Sequence, residues 1–190
     1  TLLDAAVLEP HQHLGRRAHD AGLAEAQEEQ VRGRVDGAEG PIHRERIGRH
    51  VRLEPLRPDH TASFWAVANR DLHDIFRWIP YAVKTREDFE RVVQTAFAEQ
   101  ERGESIVFAT VEMSSNRVIG STRFMNIDRN NRRVEIGSTW IAPAWQRSAV
   151  NTEAKYLMLR HAFEEWKCMR VELKTDALNE KSRNAIRRIG

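Results

Sequence analysis

The sequence predicts an α+β fold in which a central, mostly antiparallel sheet is flanked by helices. Three successive β-type runs, at residues 105–113, 118–126 and 134–141, are joined by short turn sequences and predict an antiparallel meander. A long helix pattern and one further alternating run, residues 169–175, follow, which predicts a helical crossover to a last strand. An amphipathic helix pattern at residues 85–102 supplies an apolar stripe to cover the sheet.

The composition of the 190-residue chain changes near residue 49. Residues 1–49 contain no Phe, Trp or Tyr, yet they hold six of the ten glycines. A segment with so few large side chains has little to offset the entropy of ordering, so we expect a poorly ordered or partly helical N-terminal extension. Residues 18–31 are rich in helix formers and are its candidate helix. Residues 50–190 form the globular domain.

Local signals mark the other elements of this domain. Residues 50–56 alternate apolar and polar side chains, which is the period of a half-buried strand, and Pro58 favours a helix start directly afterwards. At the amphipathic helix, Thr85 is placed to cap the first turn and Asp88 occupies the capping-box position. Asn179 is placed to cap a final helix.

The charge of the chain gives no argument for binding to nucleic acid or to a membrane surface. Its 30 basic and 28 acidic residues nearly balance, and the 23 basic residues of the domain are dispersed among 19 acidic ones. No apolar run approaches the ~20 residues of a membrane span, and the first residues lack a signal-peptide pattern. We therefore expect a soluble, cytoplasmic protein.

The cysteine and histidine content predicts neither a disulfide nor a metal site. The single cysteine, Cys168, excludes an internal disulfide and favours a reducing compartment. Three histidines lie close together in the N-terminal extension, at His11, His13 and His19, but no second group of ligands accompanies them. We expect these side chains to be solvated.

The segment between the third β-type run and the long helix has the features of an anion site. Residues 142–150 form a short loop, and Asn151 or Thr152 is placed to cap the helix. The first N–H groups of a helix have no partners within it, and the helix dipole places about half a positive charge there. A strand, a loop and a helix in this order point to a phosphate-bearing ligand, the alternative being an ordinary connection.

This stretch resembles the acyl-CoA-binding core of the GNAT superfamily of N-acetyltransferases, in the branch that includes ribosomal-protein N-terminal acetyltransferases. The family's pyrophosphate loop reads Gln or Arg, two residues, Gly, one residue, then Gly or Ala, and aligns with residues 146–151. Residues 150–155 (V-N-T-E-A-K) are similar to a variant of that branch. Ala149 stands where the family has glycine, so we expect backbone strain if this position needs a positive φ.

The resemblance implies acetyl-CoA as co-substrate and assigns residues to it. Backbone N–H groups of the loop and helix start would hold the pyrophosphate, at Gln146, Arg147, Ser148, Ala149, Val150, Asn151 and Thr152. Arg147 would add charge, unless its side chain is simply solvated. The backbone of Trp140 and Ile141 would receive the pantetheine arm, while both side chains pack. Asn179 would contact the coenzyme.

Glu135 is the candidate general base. On its strand it alternates with Val134 and Ile136, so we expect it to share the cleft face with Gly137 and Thr139. The family often places a glutamate on this strand that deprotonates the amine directly or through water, and a pKa raised by burial would suit that role. The alternative is an ion pair with neighbouring arginines.

The resemblance gives weaker assignments for the leaving thiolate and the acceptor. The family's usual tyrosine is absent from residues 179–190, and Ser182 would lie near the sulfur as the acid, the alternative being a plain helix cap by Asn179. Three aromatic residues would either pack or contact the acceptor: Phe76, Trp78 and Tyr81. Family members continue past this helix into further strands, which implies an incomplete domain or strands borrowed from a partner, as in a homodimer.

Two functions remain open on the sequence alone. The leading hypothesis is an N-acetyltransferase that moves an acetyl group to a primary amine, on a protein N-terminus or a small molecule, by direct attack in a ternary complex. The alternative is a non-catalytic CoA-binding or protein-interaction module of the same fold. A nucleotide-binding P-loop is excluded because no G-K-[ST] follows the loop.

Overall fold

The computed structural model describes the backbone of residues 3–8 and residues 44–79 and 82–189 in full. Within these ranges the strands are β1 (Leu3–Leu8), β2 (Arg46–Ile47), β3 (Val51–Pro55), β4 (Ser105–Glu112), β5 (Arg117–Asp128), β6 (Arg133–Ile141) and β7 (Arg170–Asp176). The α-helices are α1 (His60–Ala68), α2 (Leu72–Phe76), α3 (Arg86–Glu101), α4 (Ala149–Arg160) and α5 (Glu180–Arg187).

The strands form one sheet in the order β1-β7-β6-β5-β4-β3-β2. Every neighbouring pair is antiparallel except β6 and β7, which are parallel because α4 carries the chain back across the sheet between them. The α+β fold, the antiparallel meander and the helical crossover predicted from the sequence are therefore confirmed.

The start of α3 follows the predicted capping box. Thr85 accepts a hydrogen bond from the N–H of Asp88, and the Asp88 carboxylate accepts one from the N–H of Thr85, each over 3.1 Å. Both orphan donors of the first turn are satisfied within four residues, so this helix start is encoded locally.

Two strands come from the segment before residue 50. Strand β1 pairs with β7 along its whole length, from Leu3 opposite Asp176 to Leu8 opposite Val171. Strand β2 pairs with β3 at the opposite edge of the sheet. Composition did not indicate these strands, because a ladder of backbone hydrogen bonds requires no large side chains. The helix predicted at residues 18–31 and the three clustered histidines lie outside the described residues.

The sheet separates two apolar layers. The face covered by α4, called the α4 face here, packs Val134 and Ile136 of β6 against Leu157 and Met158. The opposite face, called the α3 face here, is covered by α1, α2 and α3 and is rich in aromatic rings. Burial on both faces explains why β4 is buried along nearly all of its length.

A bulge in β6 reverses which side chains face which layer. The pairing with β5 passes from Arg123 opposite Gly137 to Ser121 opposite Trp140, so Ser138 and Thr139 together oppose the single residue Thr122. Ser138 has a φ of +45°, which bends the strand. Beyond this point the odd-numbered residues, rather than the even-numbered ones, face α4. The prediction that Thr139 shares a face with Glu135 is therefore wrong, since it assumed unbroken alternation.

Candidate active site

A cleft opens where β6 and β7 separate. The two strands pair from Arg133 opposite Arg170 to Glu135 opposite Glu172, and among the described residues their ladder stops there. From Ile136 onward, the side of β6 that faces β7 has no strand partner, whereas its other side continues to pair with β5. Backbone groups left free in this way can bind an extended ligand as an added strand would.

Glu135 lies at the closed end of this cleft. Its side chain is buried, and its Oε2 atom accepts hydrogen bonds from Lys174 Nζ over 2.5 Å and from Asn126 Nδ2 over 2.8 Å. Lys174 also lies 3.3 Å from Glu172, and its hydrogen bond to Glu135 raises the pKa of the Lys174 ammonium. The expected ion pair exists, but its cation comes from β7 rather than from the arginines that precede Glu135.

The α3 face beside the cleft is a wall of aromatic rings. The Trp140 ring lies 5.4 Å from that of Phe64, 5.8 Å from that of Phe76 and 6.5 Å from that of Phe89, between ring centroids. Phe76 is buried and packs, as the sequence allowed, whereas Tyr81 lies outside the described residues. A cavity of about 30 Å³ remains between these rings and Arg123.

The loop after β6 leads directly into α4. Pro143–Trp145 form a short 3-10 turn, and Ser148 is the N-cap, its Oγ accepting from the N–H of Val150 over 3.4 Å. The helix therefore begins before Asn151, and the predicted cap at Asn151 or Thr152 is wrong, because the serine three positions earlier provides the cap oxygen.

The expected strain at Ala149 is absent. Ala149 is the first helical residue of α4, and the positive φ of the loop, +62°, falls on Arg147 instead. An alanine is favourable in a helix, so this departure from the family's glycine costs no backbone strain. The left-handed position has moved two residues towards the strand.

The loop presents backbone donors to solvent. Within the described part of the chain, the N–H groups of Arg147, Ser148 and Ala149 have no hydrogen-bond acceptor, and all three residues are exposed. Gln146 differs, because its N–H donates to the carbonyl of Pro143 over 3.2 Å and its side-chain Nε2 donates to that of Ile141 over 2.9 Å, so the N–H assigned to the pyrophosphate from the sequence is not free. The buried side-chain oxygen of Asn151 also has no partner among the residues that the structure describes. Free N–H groups at the positive end of a helix make a site for an anion.

A second cavity adjoins this helix start. Its volume is about 150 Å³, and its lining includes Arg49, His50, Ser148 and Ala149. Thr152, assigned to the coenzyme from the sequence, is exposed on the first turns of α4. The Val150 side chain is buried in the α4 face, and its N–H donates to the Ser148 cap, so neither is free for a ligand.

Glu153 connects α4 to the start of β3. Its carboxylate accepts hydrogen bonds from the backbone N–H groups of Arg49, His50 and Val51, at 2.6–2.8 Å. Burial alone would raise the pKa of this carboxyl, but the N–H donors outweigh it and hold the pKa below its ordinary value. Gly48 allows the close approach, since an added Cβ would lie 2.5 Å from the Glu153 Cδ. No local sequence signal indicated this contact.

Lys155 is buried on the α4 face, and the sequence analysis missed it. Its Nζ donates to Thr139 Oγ1 over 2.5 Å and to Thr122 Oγ1 over 3.1 Å. Burial lowers the pKa of Lys155 from its ordinary value to about 7. The signal was present in the helical period, because Lys155 precedes the buried Met158 by three residues.

Asn179 and Ser182 lie at the start of α5, after β7. Asn179 is the N-cap, and its Oδ1 accepts from the N–H of Ser182 over 3.1 Å, which confirms the predicted cap. Ser182 is half-buried, and its hydroxyl makes no side-chain hydrogen bond among the described residues. A hydroxyl in that state is free to donate or accept a further hydrogen bond.

The described residues contain no group of three or more His, Cys, Asp and Glu side chains that could hold a metal ion. Across the same ranges, no helix combines the length and the apolar character needed to cross a membrane.

Comparison with known proteins identifies the family. Residues 50–190 match the acetyltransferase (GNAT) domain. A GCN5-related N-acetyltransferase from Brucella melitensis has a similar structure, with a TM-score of 0.72 and 30% identity over 79% of this chain and 68% of that one. The chain therefore belongs to the GNAT acetyltransferases, as the loop residues indicated.

Two further relatives carry the names of ribosomal-protein acetyltransferases. YdaF of Bacillus subtilis (strain 168), whose name assigns it provisionally to the ribosomal N-acetyltransferases, is 38% identical over 71 residues. That match spans 37% of this chain and 38% of YdaF. The ribosomal-protein-S5-alanine acetyltransferase of Vibrio fischeri has a TM-score of 0.63 at 16% identity, over 77% of this chain and 82% of that one, which shows a shared fold.

Proposed function

We propose that this protein is an acetyl-CoA-dependent N-acetyltransferase that transfers the acetyl group to a primary amine by direct attack in a ternary complex. The observation that carries the proposal is the separation of β6 from β7 with Glu135 at the closed end of the gap. This arrangement puts the carboxylate of Glu135 next to the part of β6 whose β7 side is open to a ligand. Members of this family generally use acetyl-CoA, and acetyl transfer requires both features.

The coenzyme would lie along β6 and across the start of α4. Free N–H groups at residues 147–149 suit its diphosphate, and the exposed Arg147 adds a positive charge. On the side of β6 where the described residues provide no strand partner, the N–H of Ile141 suits an amide of the pantetheine arm, while its carbonyl already accepts from Gln146 and the backbone of Trp140 is directed to β5. Asn179, at the start of α5, would approach the arm from β7's side of the cleft.

The chemistry requires three proton transfers besides the attack. Glu135 accepts a proton from the substrate ammonium, and the amine lone pair then forms a C–N bond to the thioester carbon. The C–S bond breaks, the sulfur leaves as a thiolate, and the Ser182 hydroxyl donates a proton to it. The nitrogen then loses a second proton, which passes to Ser182 and restores its hydroxyl group. The hydrogen bond from Lys174 holds the Glu135 carboxylate in place.

The acceptor would enter on the α3 face. Glu135 and Trp140 both face this layer, so an amine that reaches Glu135 passes the aromatic wall. The names of the relatives favour a protein N-terminus, and specifically that of a ribosomal protein, over a small molecule. Such substrates are made in the cytoplasm, which is where the protein would act.

Two measurements test the proposal. Calorimetry with acetyl-CoA should show one binding site, and a thiol-release assay on amines and N-terminal peptides should show turnover. Glu135→Gln should lower kcat about 100-fold while leaving the affinity for acetyl-CoA unchanged. The matched control is Glu172→Gln, which removes the facing carboxylate on β7 and should retain most of the activity. Equal activity of Glu135→Gln and wild type would show that the assigned base is wrong.

The ion pair between Glu135 and Lys174 favours a second candidate, the non-catalytic module. A carboxylate oxygen that already accepts from an ammonium is less accessible to a substrate amine, and some proteins of an enzyme fold retain only binding. Binding of acetyl-CoA without thiol release on any amine would support the module.

A further inference from the structure

Lys155 is a charged side chain at a buried position, which is unusual. It lies on α4 beneath the sheet, 6% exposed, and no ion pair within the described residues includes it. Its two hydrogen-bond partners are the hydroxyls of Thr122 and Thr139, which also bond each other over 2.8 Å. Burying an ammonium against neutral partners is costly, so stability does not account for it.

The three side chains meet at the bulge. Ser138 and Thr139 are the two residues of β6 that oppose the single residue Thr122 of β5. The Lys155 ammonium therefore bridges the two strands at the point where their register shifts. Such a shift leaves the ladder locally incomplete, and a bridging donor can hold its shape. Trp140 follows directly, on the part of β6 that has no strand partner on the β7 side within the described ranges.

We propose that Lys155 is a positioning residue that holds the bulge of β6 in the shape that the pantetheine arm requires. This inference deepens the proposed function and rests on it. Lys155 acts through Thr139 on the backbone of Trp140 and Ile141, rather than by touching the reacting atoms. The helix α4, which presents N–H groups to the diphosphate, thus also fixes the shape of β6, the strand that binds the rest of the coenzyme.

The surroundings of Lys155 isolate its charge. Burial is the cause of its lowered pKa, with no charged neighbour contributing. Glu135 of β6 and Arg123 of β5 face the opposite layer, and Glu153 of α4 is turned to the start of β3. Arg46 of β2 is directed over the rings of Phe108 and Phe124.

The hydroxyl of Thr139 offers a matched pair of variants. Thr139→Val keeps the shape but removes the acceptor for Lys155, whereas Thr139→Ser keeps the acceptor. We expect Lys155→Met and Thr139→Val each to raise the Kd and KM for acetyl-CoA about tenfold, with a smaller change in kcat. Thr139→Ser should stay within about twofold of wild type.

The dependence on pH separates a positioning role from simple packing. The anionic coenzyme favours the ammonium form of Lys155, so wild-type affinity should fall as the pH rises from 6 through about 7 to 8.5. Lys155→Met should lack this step. Wild-type affinity and wild-type pH dependence in Lys155→Met, or equal affinities of the two Thr139 variants, would overturn the inference while leaving the proposed function intact. Failure of the wild-type protein to bind acetyl-CoA would overturn both.

Discussion

The Glu153 carboxylate of α4 accepts a hydrogen bond from the backbone N–H of Val51 over 2.8 Å, and so joins the helix that follows the loop to the first residue of β3. The N–H groups of Arg49 and His50 converge on the same carboxylate. Three backbone donors on one side chain orient α4 relative to the sheet, and with it the N–H groups proposed to bind the diphosphate.

Replacing Glu153 should therefore loosen this junction. Glu153→Gln puts an amide, which is itself a donor, against three N–H donors, and should lower the free energy of unfolding by about 1–3 kcal/mol. Urea denaturation measures the change. Glu164→Gln, an exposed glutamate farther along the same segment, is the control and should change little. Equal stability of the two variants would show that the junction contributes nothing.

The same junction should be sensitive to acid. Because the folded-state pKa of Glu153 is held below its ordinary value, its contribution is complete above that ordinary value and is lost as the pH falls through the folded pKa. The stability difference between wild type and Glu153→Gln should shrink as denaturation is measured at successively lower pH below about 4.5. A constant difference across that range would contradict the prediction.

Two glycines on the paired strands should respond differently to alanine. At Gly120 a Cβ would lie 2.1 Å from the backbone oxygen of Trp140, so β5 and β6 must separate, at a cost of about 3 kcal/mol or more in unfolding free energy. At Gly137 it would lie 2.7 Å from the flexible Met125 side chain and 3.2 Å from Glu135 Oε1.

Gly137→Ala should therefore lower the free energy of unfolding by only about 1 kcal/mol, but it should displace Glu135. Its loss in kcat should be larger than its own loss of stability explains, and larger than the loss in kcat of Gly120→Ala. Urea denaturation and thiol release, measured on both variants, give the comparison. Greater destabilisation by Gly137→Ala than by Gly120→Ala would refute the close approach at Trp140.

The contribution of Lys155 to the free energy of unfolding should change with pH above neutrality. Its folded pKa of about 7 lies below its ordinary value of 10.5, so the unfolded chain holds more protons than the folded one between these values. The unfolding free energy of wild type should rise relative to that of Lys155→Met as the pH increases through this window, by about 1 kcal/mol per pH unit. Below pH 7 the difference should be constant. Denaturation at pH 6, 7, 8 and 9 tests this, and parallel curves would contradict it.

Arg147 allows charge and backbone strain to be separated. Its φ of +62° is unfavourable for a side chain, so Arg147→Gly should raise the unfolding free energy by about 1 kcal/mol while weakening acetyl-CoA binding about tenfold. Affinity for an acetyl thioester of pantetheine, which lacks the diphosphate, should not change. Arg132→Gly is the control, since Arg132 has a φ of +48° at the other end of β6 and should gain stability without losing affinity.

Local signals made most of the fold predictable. The capping box of Thr85 and Asp88 and the cap of Asn179 each act within three residues, and the meander strands carry their own alternation. Each of these features is therefore encoded in a short window of sequence.

Long-range contacts set the parts that could not be predicted. The bulge at Ser138 depends on the register with β5, and Lys155 meets Thr122 across 33 positions of sequence. Glu153 reaches its donors across more than 100 positions, so no window of local sequence contains both partners. The loop before α4 was predicted in part. Its motif indicated the candidate diphosphate site but not that the positive φ falls on Arg147 rather than on Ala149.

The bulge in β6 also divides the strand into two sets of side chains that protein engineering can vary separately. Before it, Glu135 and Gly137 face the layer where an acceptor would enter, and after it Thr139 and Ile141 face the opposite layer, towards α4. A library can therefore vary the set on one face without placing new side chains in the opposite layer. Under the proposed function, the acceptor-side and coenzyme-side residues of this nine-residue strand would thus be open to separate selections.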